Sequence, residues 1–182
     1  AAGPASRGVL NSTGGNVYLD RLLGVELEIG PDDDWLVLYD RMESLAQRLE
    51  SEGRKVYRIP IGGSSPYGAY GFFRAGLEVQ AQETEPFDWI VFASSSGSTQ
   101  IGLTYAFRDT GTRVLGICSD PEPEILEEFV ENGRGLADIL GIQPLGIESF
   151  QMSFDYVGEG YSAPYDKAGD AIRLAARREG LL

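Results

Sequence analysis

Residues 89–102 read WIVFASSSGSTQIG: a short apolar run, a turn of small residues, and the start of a helical pattern. Trp89 to Ala93 show no polar alternation, which suits a strand covered on both faces, as in a parallel sheet. From Ser94 to Thr99 every residue is small and only Thr99 is β-branched. Such a turn folds tightly and aims several N–H groups at one point, beside the N-terminus of a helix expected to begin near Thr99. That is the outline of a phosphate cradle, a device shared by many phosphate-binding loops, and it names a ligand group without naming a reaction.

Working outward, the same alternation of strand and helix recurs. Upstream, Ile59 to Gly71 carries a second Gly/Ser turn, Gly62-Gly63-Ser64-Ser65-Pro66, before a helix whose apolar stripe is Ala69, Phe72, Phe73 and Leu77. Val56 to Ile59 reads as the strand leading into it. Earlier still, Asn16 caps a short helix bearing Leu19, Leu22 and Leu23 and stopped by Gly24, and Val25 to Ile29 alternates like a half-buried strand. Asp32, Asp33 and Asp34 precede Trp35, Leu38, Met42, Leu45 and Leu49, so they read as an N-cap with helix-dipole charges, not a metal cluster; Gly53 ends that helix. Downstream, Val114 to Cys118 is another apolar strand, and 122–140 is helical with a break at Asn132-Gly133. A strand follows near Phe150 to Phe154, then a helix from Asp166 to Glu179. The pattern predicts a three-layer α/β/α fold with a mostly parallel sheet, whose ligands sit at the carboxyl ends of the strands, where both Gly/Ser turns fall.

Composition narrows the chemistry. The 182 residues carry 28 acidic and 15 basic side chains, a formal charge of −13, which argues against a nucleic-acid surface. No apolar run approaches the ~20 residues needed to span a bilayer, so the expectation is a soluble, cytoplasmic protein. The chain has no histidine and one cysteine, Cys118, which removes Ser-His-Asp triads, Cys-His dyads and His/Cys metal sites. Cys118 itself reads as a core residue, and Lys55 and Lys167, the two lysines, as solvated surface.

Four stretches, in order and spacing, resemble the D-cysteine desulfhydrase and 1-aminocyclopropane-1-carboxylate deaminase group of pyridoxal-phosphate enzymes, which have the tryptophan synthase β-like (fold type II) architecture. They are GGNVYLDRLLGVEL (14–27), YRIPIGGSSPYGAYGF (57–72), FDWIVFASSSGSTQIGL (87–103) and GEGYSAPYDKAGDAIRLAARREGLL (158–182). GNVYLDRLLG and IPIGGSSPYGA are similar above all to the desulfhydrase branch. The resemblance implies that Ser95, Ser96, Gly97, Ser98 and Thr99 wrap the phosphate of pyridoxal 5′-phosphate. It also implies that Tyr161, in EGYSAP, is an active-site tyrosine able to take part in proton transfer; packing against a turn is the plainer alternative. Gly62, Gly63 and Ser64 match a segment bordering the substrate and serve equally well as a structural turn.

The resemblance further implies a smaller α/β domain over 1–58, a larger cofactor-binding domain over 59–182, a small amino-acid substrate and a homodimer. The favoured activity is α,β-elimination from D-cysteine to pyruvate, sulfide and ammonia. One departure stands out. The Schiff-base lysine of the group lies in a GGNK-type motif that this chain does not contain, and the group's DPVYTGKA-type continuation is also absent. The chain therefore reads as an internal fragment that does not complete the cycle by itself, with a non-catalytic phosphate-binding module, or an inert self-associating fragment, as the alternatives.

Overall fold

A computed structural model describes residues 15–27, 35–119, 125–158 and 166–181. They fall into two compact units, Ala1–Arg58 and Ile59–Leu182. The Asp32 to Asp34 cap and Tyr161 lie outside the described residues.

The first unit is helical. Helix α1 (Gly15–Leu22) and helix α2 (Trp35–Ser51) both end in a left-handed glycine that closes a Schellman turn. At Gly24 (φ +74°), the Val25 N–H reaches the Asp20 carbonyl at 2.8 Å and the Gly24 N–H reaches Arg21 at 3.1 Å. Gly53 repeats the arrangement with Arg54 to Leu49 at 3.0 Å and Gly53 to Glu50 at 2.9 Å. On α2, Leu38, Met42, Leu45 and Leu49 are half-buried around Ala46, as their spacing predicts. Arg58 bridges two carboxylates on one face of the helix, Glu43 at 2.6 Å and Glu50 at 2.7 Å. Hydrogen bonds from its guanidinium hold both carboxyls below their ordinary range.

Neither expected strand forms among the described residues, which leave out Glu28 and Ile29. Residues 25–27 and 54–60 are irregular, with Tyr57 and Ile59 largely exposed. Alternation supplies a face, but a strand exists only where a partner completes its ladder, and none does so among the described residues.

The second unit is α/β. Helix α3 (Pro66–Gln82) precedes strand β1 (Trp89–Ser94), helix α4 (Ser98–Phe107), strand β2 (Arg113–Cys118), helix α5 (Ile125–Leu140), strand β3 (Gln151–Ser153) and helix α6 (Asp166–Glu179). The strands form one parallel sheet in the order β1-β2-β3, with Trp89 opposite Arg113, Ser94 opposite Cys118 and Gly116 opposite Met152. Parallel strands joined through helices are the expected architecture.

Eight residues of α4 are buried, making it the centre of the unit. Ile101 and Tyr105 pack with Phe129, Leu136 and Phe150, while Ala106 and Phe107 pack on Val114 of the sheet. Helix α3 crosses α4 at very close range. A Cβ on Gly102 would stand 2.4 Å from the Ala69 carbonyl oxygen, and one on Gly76 would stand 2.5 Å from the Ala106 Cβ. Ala69 and Gly76 are buried in this contact and Phe73 is half-buried beside them, whereas Phe72, whose Cβ lies at the crossing, and Leu77 of the expected stripe stay about two-fifths exposed.

Two further expectations are corrected. Strand β1 is covered on one face only: Ile90 and Phe92 point toward α3 and α4, whereas Trp89 and Val91 are 42% and 56% exposed. It is an edge strand among the described residues, and the Arg113 guanidinium lies 3.9 Å over the Trp89 ring on the open face. Helix α5 also runs unbroken through Asn132-Gly133, where Gly133 is buried against the Phe150 and Tyr105 rings, both 3.4 Å from where a Cβ would stand. Burial there outweighs the ~1 kcal/mol that glycine costs a helix interior. Cys118 is buried, and Lys55 and Lys167 are exposed.

Candidate anion-binding site

The site lies where β1 ends and α4 begins. Gly97 is the N-cap of α4, in the left-handed region at φ +102°, and has no side chain with which to cap the helix. The first intrahelical bond runs from the Ile101 N–H to the Gly97 carbonyl at 2.8 Å. The N–H groups of Ser98, Thr99 and Gln100 therefore lack a carbonyl one turn back, and the positive end of the helix dipole lies among them. Gly97 is required twice over, since a Cβ would also fall 2.3 Å from the ring of the fully buried Phe129.

The second Gly/Ser turn is folded against this loop. Ile61–Gly63 forms a single 3-10 turn with Gly62 and Gly63 both at positive φ. The Ser64 hydroxyl donates to the Ser96 carbonyl, and the Ser98 hydroxyl donates to the Gly63 carbonyl at 3.3 Å and accepts from the Ser65 N–H at 3.4 Å. A Cβ on Gly62 would overlap the Ser96 hydroxyl, at 2.1 Å. Gly62, Gly63 and Ser64 thus stand beside Ser96 and Ser98, as one continuous wall.

The two turns nevertheless differ in chemistry. Helix α3 is closed by its own N-cap, the Ser65 hydroxyl accepting from the Gly68 N–H at 3.1 Å. Helix α4 is open. Only the 95–99 turn therefore offers converging donors to an anion, and the 62–64 turn braces it.

Asn132 of α5 reaches the same wall, its Nδ2 lying 3.5 Å from the Ser64 hydroxyl. In sequence Asn132-Gly133 reads as a helix break; only the tertiary packing of α5 brings Asn132 to Ser64. Beneath the loop, Ser94 is buried with its hydroxyl unpartnered, while its carbonyl accepts from the Ser119 N–H at 3.0 Å, joining the ends of β1 and β2. Gln100 is fully buried, its Nε2 donating to the Gln151 carbonyl at 3.0 Å.

A phosphate group fits this arrangement. The donors are neutral N–H and hydroxyl groups on a positive helix end, glycine keeps the N-cap free of a side chain, and an orphaned buried hydroxyl lies at the strand's end. Among the described residues no group of three or more Cys, Asp or Glu side chains could hold a metal ion, and no helix is long and apolar enough to cross a membrane.

Comparison with known proteins points the same way. The family model described as pyridoxal-phosphate dependent enzyme matches residues 9–182. A 1-aminocyclopropane-1-carboxylate deaminase of Burkholderia lata is 34% identical over 176 residues, 92% of this chain and 52% of that protein. A putative 1-aminocyclopropane-1-carboxylate deaminase of Pyrococcus horikoshii is 32% identical over 171 residues, with the same two coverages. A crystal structure described as an ACC deaminase homologue superposes with a TM-score of 0.86 at 30% identity, covering 94% of this chain and 53% of that one. This chain spans about half the length of these relatives.

Proposed function

The chain belongs to the pyridoxal-phosphate dependent enzyme family, and from that premise we propose that it forms the phosphate-holding part of a lyase or deaminase acting on a small amino acid. The observation that carries the reading is the uncapped N-terminus of α4 at the end of β1. Ser95, Ser96, Gly97, Ser98 and Thr99 would hold the cofactor phosphate, chiefly through backbone N–H groups. When bound, pyridoxal phosphate supplies an electron sink for negative charge at the amino acid's α-carbon. Gly62, Gly63 and Ser64 hold the cradle's shape from one side and Asn132 steadies Ser64 from the other. Tyr161 is proposed, on resemblance alone, to hold or move a proton at its phenol oxygen. No step is assigned to Lys55 or Lys167, which are exposed.

Two substrates fit the reading. The motifs at 15–24 and 59–69 favour D-cysteine, which with water gives pyruvate, sulfide and ammonia. The names of the relatives favour 1-aminocyclopropane-1-carboxylate, which with water gives 2-oxobutanoate and ammonia. Residues 1–58 and 59–182 are proposed as the smaller and larger domains, and a second copy of the chain as a partner.

The test is a titration of the chain with inorganic phosphate and with pyridoxal 5′-phosphate, read by calorimetry and by the shift in thermal midpoint. Thr99→Asp is the informative variant. A carboxylate in the first turn suits the helix dipole, so the fold persists, but it opposes a phosphate at the same place. Saturable binding to the unaltered chain, lost in the variant, is the expected result; an unaltered chain that binds neither ligand overturns the reading.

A further inference from the structure

Three positions around the N-terminus of α4 could carry a side chain that closes it, and none does so. The N-cap is glycine, and the Ser98 hydroxyl is committed to the 63–65 turn. Gln100 is the third residue of the helix, the position from which a glutamine normally folds back to bond the N-cap N–H in a capping box. Here it turns the other way. Its Nε2 crosses the sheet to the Gln151 carbonyl at 3.0 Å, and its Oε1, fully buried, has no hydrogen-bond partner.

The seat that holds it there is Gly116 of β2. A Cβ on Gly116 would stand 2.0 Å from Gln100 Oε1 and 2.7 Å from the Ser94 Cβ. The glutamine amide thus lies directly on the bare glycine backbone, beside the buried and unpartnered Ser94 hydroxyl. A buried amide oxygen without a partner is costly, and the helix cap offers it one within the same turn. The packing that forgoes that bond keeps the helix end free.

We propose that Gln100 is a positioning residue for the anion cradle: seated on Gly116 and tied to β3, it is prevented from folding back onto the Gly97 N–H, which leaves that donor open to the phosphate beside those of Ser98, Thr99 and Gln100. This rests on the cradle reading above and adds to it the residue that decides whether the cradle is open. Evicting Gln100 from its seat lets it close the helix end, and a bound phosphate must then displace it.

The experiment measures inorganic phosphate affinity of the full chain by calorimetry, with circular dichroism to follow folding. Gly116→Ala removes the seat, and a cap of ordinary strength weakens phosphate binding roughly fivefold. Gln100→Ala cannot cap, so it lowers stability through the lost Gln151 bond yet holds phosphate within about twofold of the unaltered chain. The double variant Gly116→Ala/Gln100→Ala recovers phosphate affinity; because truncating Gln100 also relieves its clash with the added methyl, Gln100→Glu, which leaves β2 untouched, is the arm that separates capping from distortion.

Gln100→Glu supplies the same test without touching β2, and serves if Gly116→Ala does not fold. A carboxylate cannot donate to the Gln151 carbonyl, so it swings to the helix end and weakens phosphate at least as much. A double variant as weak as Gly116→Ala, or Gln100→Ala as weak as Gln100→Glu, overturns the inference while leaving the cradle reading intact. An unaltered chain that binds no phosphate overturns both.

Discussion

Replacing Gly97 by alanine tests whether the geometry of the loop, and not its mere smallness, demands glycine. At φ +102° an L side chain meets its own backbone, which costs about 1–2 kcal/mol. The added methyl would also stand 2.3 and 2.5 Å from two ring carbons of Phe129, where carbon atoms at rest lie about 3.5–4 Å apart. The ring must therefore move by more than an ångström. It is fully buried and meets Phe150 edge-on, with centroids 6.0 Å apart and planes at 84°, so it has no free volume to enter. Overpacking of this kind costs about 1–3 kcal/mol, and the two effects together give about 2–5 kcal/mol. Urea unfolding followed by circular dichroism measures it, with an unchanged slope as the sign that compactness is unaltered. Combining Gly97→Ala with Phe129→Leu separates the contributions: the narrower side chain accommodates the methyl, and a favourable coupling of about 1 kcal/mol or more is expected. A loss below about 0.5 kcal/mol for Gly97→Ala, or no coupling in the pair, refutes the reasoning.

Two glycines should respond oppositely to alanine. Gly102→Ala meets the Ala69 carbonyl oxygen at 2.4 Å and the Phe73 nitrogen at 2.6 Å, both backbone atoms, so thermal unfolding should show a loss of about 1–3 kcal/mol, whereas Gly111→Ala meets nothing within 4 Å and should change stability by less than about 1 kcal/mol. Tyr105→Phe strands the Leu145 N–H that its hydroxyl accepts from at 2.9 Å, for a loss of about 1–3 kcal/mol. Burial raises the Tyr105 phenol above the ordinary tyrosine range, so its contribution is whole below the unfolded value and falls as pH rises through the folded one; alkaline unfolding should be delayed in the phenylalanine variant relative to its own neutral-pH stability.

How much of this was legible in the residues depends on whether a feature is local. The Gly24 and Gly53 stops, the 89–94 and 113–118 strands and the helix from Asp166 to Glu179 are read correctly because caps, short apolar runs and helical spacing act over one or two turns. The errors come where a distant partner decides. Val25 to Ile29 alternates and Val56 to Ile59 reads as a strand, yet neither makes a ladder among the described residues, and Asn132-Gly133 has the composition of a break but the surroundings of a core. Phe72 and Leu77 stay about two-fifths exposed because the closest α3–α4 approach is made over Gly76 and Gly102, which spacing along one helix does not reveal. At the site, the Ser95 to Thr99 turn announces itself through small residues after an apolar run. Asn132, Gln100 and Gly116 do not, since each matters through a side chain or a missing one on another element. That both Gly/Ser turns precede helices is plain; that only one helix end is open is not, because it depends on which residue of each turn falls at the N-cap, Ser65 with a hydroxyl that caps or Gly97 with no side chain.

The links that shape the cradle also bear on when it can form. Ser64 to Ser96 spans 32 residues, Ser98 to Gly63 spans 35, Gln100 to Gln151 spans 51 and Asn132 to Ser64 spans 68. Contacts so far apart along the chain carry the entropy of closing the loops between them, which slows the folding of such topologies. The binding loop thus draws on segments spread from 63 to 151, and no isolated peptide spanning 89–102 can reproduce it. Anion affinity becomes a reporter of the finished unit: it appears only when strands, helices and both turns have come together, and it should vanish in one step with them.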